Sequence, residues 1–413
     1  MDVQHPPSKT TVFLDQPPSC LQFCPAAPDH FVVGTYLLSE NKDVDGNIQQ
    51  TKTGSLQLWK IDDVQNHSKE GGALSLIQHL PLPYAVFDLH FHPQTPSIFA
   101  FASSTGSVAL FQVTDSRITH LWTQSVHDDP SIPALFLAWT PPKFLTQDQA
   151  DGFAVTFSDG TTALFEAQIT SSSSDGNHLS ELGSFAAKHM IEVWFVALAT
   201  FQDESHQQRG SSEIPFIFTG DDFGSLNTRR LAQKSTEDED ELLPHLLYEH
   251  DDRARHHTAG VTSILPLPLP LWQGAPLLLT GSYDEYLRVY NATRKGEVLA
   301  EMCLGGGVWR LQLISTQCSH PEDKVQTWKF LVLASCMHAG TRVVRVTGRF
   351  KESSLSWEMG ILAEFTEHES MNYASDVWKP DGGYDLQGKE VSELLCVSSS
   401  FYDRRLCTWR VDV

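Results

Sequence analysis

Short runs of bulky residues alternate along this chain with turns rich in Gly, Asp, Ser and Pro, and the runs recur in sets of three. One member of each set ends on an aromatic residue, or its substitute, five positions after a turn residue. Gly54 leads to Trp59, Gly106 to Phe111, Gly160 to Phe165, Gly224 to Arg229, Glu285 to Tyr290, Gly340 to Arg345 and Arg404 to Trp409. A second run precedes each of these: FVVGT, IFAFASS, FAVTFSD, PFIFTGDD, LLLTGSYD, FLVLASCMH and LLCVSSSFYD. A third lies upstream again, as in AVFDLHFHP, ALFLAWTPP and YASDVWKP. Each run is short and bulky and closes on small or turn residues, the mark of a half-buried strand. Several stop at a proline, which has no N–H to give the next rung of a ladder. Three strands in one order, seven times over, predict a repeat fold.

The last set ends with Trp409 and lacks a fourth strand, which TTVFLD (10–15) supplies from the other end of the chain. Such pairing closes a ring and removes the open sheet edges that invite aggregation. The expectation is an all-β protein, one seven-bladed WD40-type β-propeller over residues 1–413 closed by an N-terminal strand. Its repeats are about 50–65 residues long against about 40–45 for ordinary blades, so the excess is loop. The polar stretches 39–53, 171–178, 203–213 and 234–241 are the expected surface insertions. The acidic run 236–241 reads as solvated loop.

Composition narrows the class. Hydrophobic residues make up 41% of the 413, enough for a large core. No apolar run approaches the roughly 20 residues of a membrane helix; ILPLPLPLW, Ile264 to Trp272, is broken by prolines. The first residues lack a basic-then-apolar leader, which predicts a soluble cytoplasmic protein with no membrane partner. Seven cysteines without C-x-x-C spacing read as reduced, mostly buried thiols. A formal net charge of −22 argues against a nucleic-acid partner and suits a basic protein patch.

Candidate chemistry lies where residues depart from the repeat. Three innermost strands carry a charge at one shared offset: Asp88 in AVFD, Arg310 in GVWR and Asp376 in YASD. Either they converge at a channel mouth, or they form a buried ion-pair network between blades. His189, His257 and His368 each precede an inner strand, where such repeats place a histidine bonded to a turn Asp; His257 with Asp284 fits that structural role. His189 is followed by Glu192 and Trp194, and His338 replaces the turn residue in SCMHAG, at the ring end expected of Tyr283 and Tyr402. Ser370 beside His368 offers a hydroxyl and a base. No G-x-S-x-G elbow, Walker A or H-E-x-x-H occurs, and Gly305-Gly306-Gly307 opens a strand, not a dinucleotide-binding helix.

The segments TGSYDEYLRVYN (280–291), GGVWRL (306–311), ASCMHAG (334–340), HESMNYASD (368–376) and SSFYDRRLCTW (399–409), with GTY (34–36), HMIEVW (189–194) and TGDDFG (219–224), resemble the WD-repeat diphthine methyl-ester esterases of diphthamide biosynthesis. The sequence departs from that pattern at Thr228-Arg229, where Trp-Asp is usual, and at Ala374, where Gly is usual, so an irregular fourth blade is expected. The resemblance implies a cofactor-free hydrolase acting on translation elongation factor 2, freeing the diphthine carboxylate for amidation. A non-catalytic scaffold for other proteins of that pathway is the alternative. On the esterase reading His338, or His189 with Glu192, is the base. Arg310 stabilises the oxyanion or holds the product carboxylate, Asp376 orients a partner, and Ser370 or water attacks. The substrate's quaternary ammonium calls for aromatic faces, with Trp194, Trp309, Tyr283, Tyr402, Tyr373 and His368 as substrate-binding candidates.

Overall fold

The computed structural model describes residues 2–42, 48–62, 72–147, 150–169, 178–202, 213–232, 242–319, 325–351 and 354–413. Among them every regular element is a strand. The strands form seven sheets, six of four strands and one of five, and five of them run outward in chain order from an inner strand. The closing sheet takes its outermost strand from Ser8–Phe13, and in the five-stranded sheet Ile48–Asp62 pairs with Leu37–Lys42 as well as Ala73–Leu82. The protein is a seven-bladed WD40-type β-propeller. The chain separates into two compact units, Met1–Pro133 with Gln312–Val413, and Ala134–Leu311.

The burial pattern of each strand follows its place in a blade. Second strands such as His30–Thr35, Ile98–Ser103, Gly152–Phe157 and Leu277–Ser282 are buried at every position. This is why they read as unbroken apolar runs, and why polar residues there are small ones such as Thr280. Outer strands alternate, as in Ser8–Phe13 and Ser354–Phe365, with one face on the blade and one in water. Inner strands pack on small residues of the preceding blade. A Cβ at Gly220 would lie 2.7 Å from Val261, and one at Gly281 2.6 Å from Val308. In the other unit a Cβ at Gly34 would lie 2.6 Å from Val86.

The ring-closing strand is Ser8–Phe13, which pairs antiparallel with Arg405–Asp412 through Thr11 opposite Cys407 and Val12 opposite Leu406. It starts two residues before the expected segment. The stretch 39–53 differs from its reading as loop. Its described residues form a hairpin, Leu37–Lys42 against Ile48–Asp62, with Leu38 opposite Lys52. Its polar side chains keep both faces wet, and strand pairing satisfies the backbone. The stretches 171–177, 203–212 and 234–241 lie outside the described residues.

The fourth blade keeps its ladder despite Arg229. This side chain is 2% exposed, donates to Thr219 Oγ1 at 3.0 Å and pairs with Glu249 at 2.6 Å. Its guanidinium lies over the Phe185 ring at 4.8 Å, so the cation fills the volume of an indole with its charge matched. Five of the seven cysteines are buried, and none is in a disulfide. No helix among the described residues is long and apolar enough to cross a membrane.

Candidate active site

In the unit Ala134–Leu311, four expected site residues come together around one structural device. The inner strand Val193–Gln202 opens with a register shift between Val193 and Phe195, which leaves Trp194 as a bulge residue. A bulge re-aims a side chain out of the ladder. Trp194 thereby meets Trp309 at 5.6 Å and Tyr283 at 6.2 Å between ring centroids, both edge-on, and Tyr283 lies 5.9 Å from Trp309. All three rings are half-buried. Trp194 Nε1 donates to Asp222 Oδ1 at 2.7 Å. Asp222 is free to receive it because Asp221 caps the turn, accepting the Ser225 N–H at 2.9 Å. Gly260 makes room: a Cβ there would sit 2.9 Å from the Tyr283 ring and 3.0 Å from Asp222 Cα.

Arg310 supports this trio from below. Its Nη1 donates to the carbonyls of Thr262 and Trp309, both at 2.8 Å, and its guanidinium lies 4.4 Å from the Trp309 ring and 4.9 Å from Phe136. Those contacts make it a positioning residue for Trp309. His189 is exposed and meets Phe223 edge-on at 5.7 Å, while Glu192 uses its backbone carbonyl to accept the Asp222 N–H at 2.9 Å. Met190 (90% exposed) and Phe223 (58%) add an uncovered apolar flank to the same segment.

The other unit, Met1–Pro133 with Gln312–Val413, holds the remaining candidates in different roles. Asp376 is 1% exposed and fully engaged. Its Oδ1 accepts from Lys379 at 2.5 Å and Gln312 at 2.7 Å, and its Oδ2 accepts the Phe23 N–H at 2.8 Å. Of the two alternatives for Asp376 this fits the buried ion pair, with the cation three residues away on its own segment. Asp88 is likewise buried, beside His90 at 3.4 Å. Ser370 and His368 do not pair with each other. Ser370 donates to Asp403 at 2.5 Å and accepts the Tyr402 N–H at 2.9 Å, closing a turn. The buried His368 hydrogen-bonds Ser398 through Nε2 at 2.8 Å, and Trp409 Nε1 donates to that same hydroxyl at 3.0 Å. Burial lowers the His368 pKa to about 4, which suits a structural imidazole kept neutral. His257 in the first-described unit repeats the arrangement with Thr280 at 2.9 Å; its pKa is lowered to about 3 by burial. Asp284 turns away from it and pairs with Arg288 at 2.9 Å.

His338 stands exposed at the tip of a turn closed by the Cys336 N–H on the Gly340 carbonyl at 2.7 Å. Tyr402 (69% exposed) and Tyr373 flank Phe401 at 5.0 and 5.5 Å, and Tyr36 joins them at 6.1 Å. Tyr36 also meets Phe87 at 5.4 Å, and Phe87 is a bulge residue equivalent to Trp194. Of this second aromatic set Tyr373 and Tyr402 were expected from the sequence, whereas Tyr36, Phe87 and Phe401, like Asp222 and Gly260, were not. The doubled Asp in TGDDFG was the available signal for Asp222, since one turn needs one cap.

No family model matches the chain. It is 25% identical over 403 residues to the diphthine methyltransferase of Schizosaccharomyces pombe, covering 97% of each chain. The diphthine methyltransferase homolog of Dictyostelium discoideum is 23% identical over 416 residues. Over nearly its whole length the chain is thus similar to proteins named diphthine methyltransferase. The human protein of that name is 24% identical over 83% of this chain and 68% of its own. Among solved structures, a chain from a crystal structure of the mitotic checkpoint complex aligns over 98% of this chain and 92% of its own, with a TM-score of 0.54 at 14% identity. That likeness concerns the fold alone. The homology runs from the first blade to the last, as the resemblance of the scattered motifs implied.

Proposed function

We propose that this protein hydrolyses the methyl ester of methylated diphthine on translation elongation factor 2. The observation that supports this most is the half-exposed trio Trp194, Tyr283 and Trp309 with the Asp222 carboxylate at its edge. Electron-rich faces with a neighbouring anion are what a quaternary ammonium requires, and methylated diphthine carries both that group and an ester. Homologues named for diphthine supply the substrate class.

In the proposed reaction water attacks the ester carbonyl while an imidazole takes its proton. The tetrahedral intermediate then expels methanol and leaves the carboxylate. His189, on the segment that leads into Trp194, is the first candidate for the base; His338 is the second. The trio fixes the ammonium so that the ester is presented to His189, and Arg310 holds Trp309 for the purpose.

Elongation factor 2 bearing methylated diphthine, incubated with this protein alone, should lose the mass of one methylene and release methanol. His189→Ala should then lower kcat by about a hundredfold or more, as loss of a general base does. If His338→Ala alone has that effect, the base is reassigned. A mass gain that requires S-adenosylmethionine would replace hydrolysis by methyl transfer. An unchanged mass with binding intact would favour the scaffold.

A further inference from the structure

One cavity bears a charge opposite to that of the molecule. It encloses about 660 Å³ within the unit Ala134–Leu311 and is lined by Lys188, Arg253, Arg255, Arg294 and Lys295, in a chain whose net charge is −22. Its two lining carboxylates are already committed. Glu249 pairs with the buried Arg229 at 2.6 Å, and Asp251 accepts the Arg253 N–H at 2.7 Å. All five cations are exposed at the rim, so their charge is not consumed in the fold.

The backbone that presents them is fixed. Arg253 and Ala254 both lie in the left-handed region, at φ 59° and 51°, which side chains adopt only when neighbours hold them there. The buried Asp252 does so, accepting the N–H groups of Leu226 at 2.9 Å and Ala254 at 3.1 Å and the Tyr290 hydroxyl at 3.0 Å. On the facing hairpin Gly296, at φ 68°, lets the chain pass against Tyr290, whose hydroxyl a Cβ would strike. That close pass brings the Lys295 carbonyl to His256 Nε2 at 3.2 Å and sets Arg294 and Lys295 opposite the Arg253 loop.

We propose that this cavity binds a compact polyphosphate anion. Three arginines offer planar forks that match phosphate oxygens two at a time, and the cations close on one concavity from three segments instead of lining an extended groove. The volume lies within the range of small-molecule sites, about 300–1,000 Å³. This goes beyond the ester chemistry and involves none of its residues.

The test is isothermal titration calorimetry of the full chain with inorganic tripolyphosphate. Saturable one-site binding is expected, weakened by added salt, and weakened by about tenfold or more in the Arg253→Gln/Arg294→Gln double variant. Lys188→Gln, outside both loops, should weaken it less and serves if the double variant melts early. ATP tighter than tripolyphosphate would place the phosphates on a nucleoside, and equal affinity would point to the free anion; both support the site. No saturable heat, affinity unchanged in the variants, or a glutamate-rich peptide binding as tightly as tripolyphosphate would overturn the proposal.

Discussion

Two groups built around a tryptophan that donates its indole N–H to an oxygen use the same chemistry in this protein for opposite ends. In the closing blade, Trp409 is completely buried, stacks on Phe365 at 5.1 Å and shares the Ser398 hydroxyl with His368. In the other unit, Trp194 meets two rings edge-on and donates to Asp222, yet all three rings keep part of their faces in water. The first group is satisfied from within the protein, with Phe365 supplied by the outer strand of the adjacent sheet. The second leaves half-buried aromatic rings beside a carboxylate. Exposure combined with fixed geometry, and not residue type, separates the proposed binding surface from the scaffold.

The contrast can be broken most forcefully at Trp409. Trp409→Ala should cost about 3–5 kcal/mol, seen as a lower denaturant midpoint, because it empties a fully packed site and releases the ring-closing strand's partner. Acid should act next. His368 and His257 have folded pKa values near 4 and 3 against an ordinary 6.5. Their stabilising effect is whole above the unfolded pKa and is lost as pH falls from about 6.5 toward 4, by a few kcal/mol in sum. Melting curves across that range should show the loss, and His368→Gln should flatten it. Gly260→Val should cost about 1–3 kcal/mol through its clash with Tyr283 and Asp222, and raise KM by disturbing the trio. Asp222→Asn should change stability least, within about 1 kcal/mol, while raising KM for the ester by up to about tenfold with a smaller effect on kcat. A KM that stays constant in both variants would remove the trio from substrate binding.

Blade count and strand order were legible because a second strand, buried at every position, reads as a nearly unbroken bulky run, and the repeat prints that demand seven times. The aromatic candidates were legible as departures from it. The pairing of Asp376 with Lys379 was not, since Lys379 lies beyond the strand and only the bend after Val377 brings it back. Nor was the division of labour between Ser370 and His368, neighbours in sequence that face different partners. Asp222 was missed because a second turn aspartate looks redundant until the bulge at Trp194 turns an indole N–H toward it.

The most direct test of the trio is a titration with tetramethylammonium followed by tryptophan fluorescence, with neopentyl alcohol as the uncharged counterpart of nearly equal shape. The expectation is a saturable change with the cation, absent with the alcohol and abolished by Trp309→Ala. Equal response to the alcohol, or cation binding that survives the substitution, would contradict it.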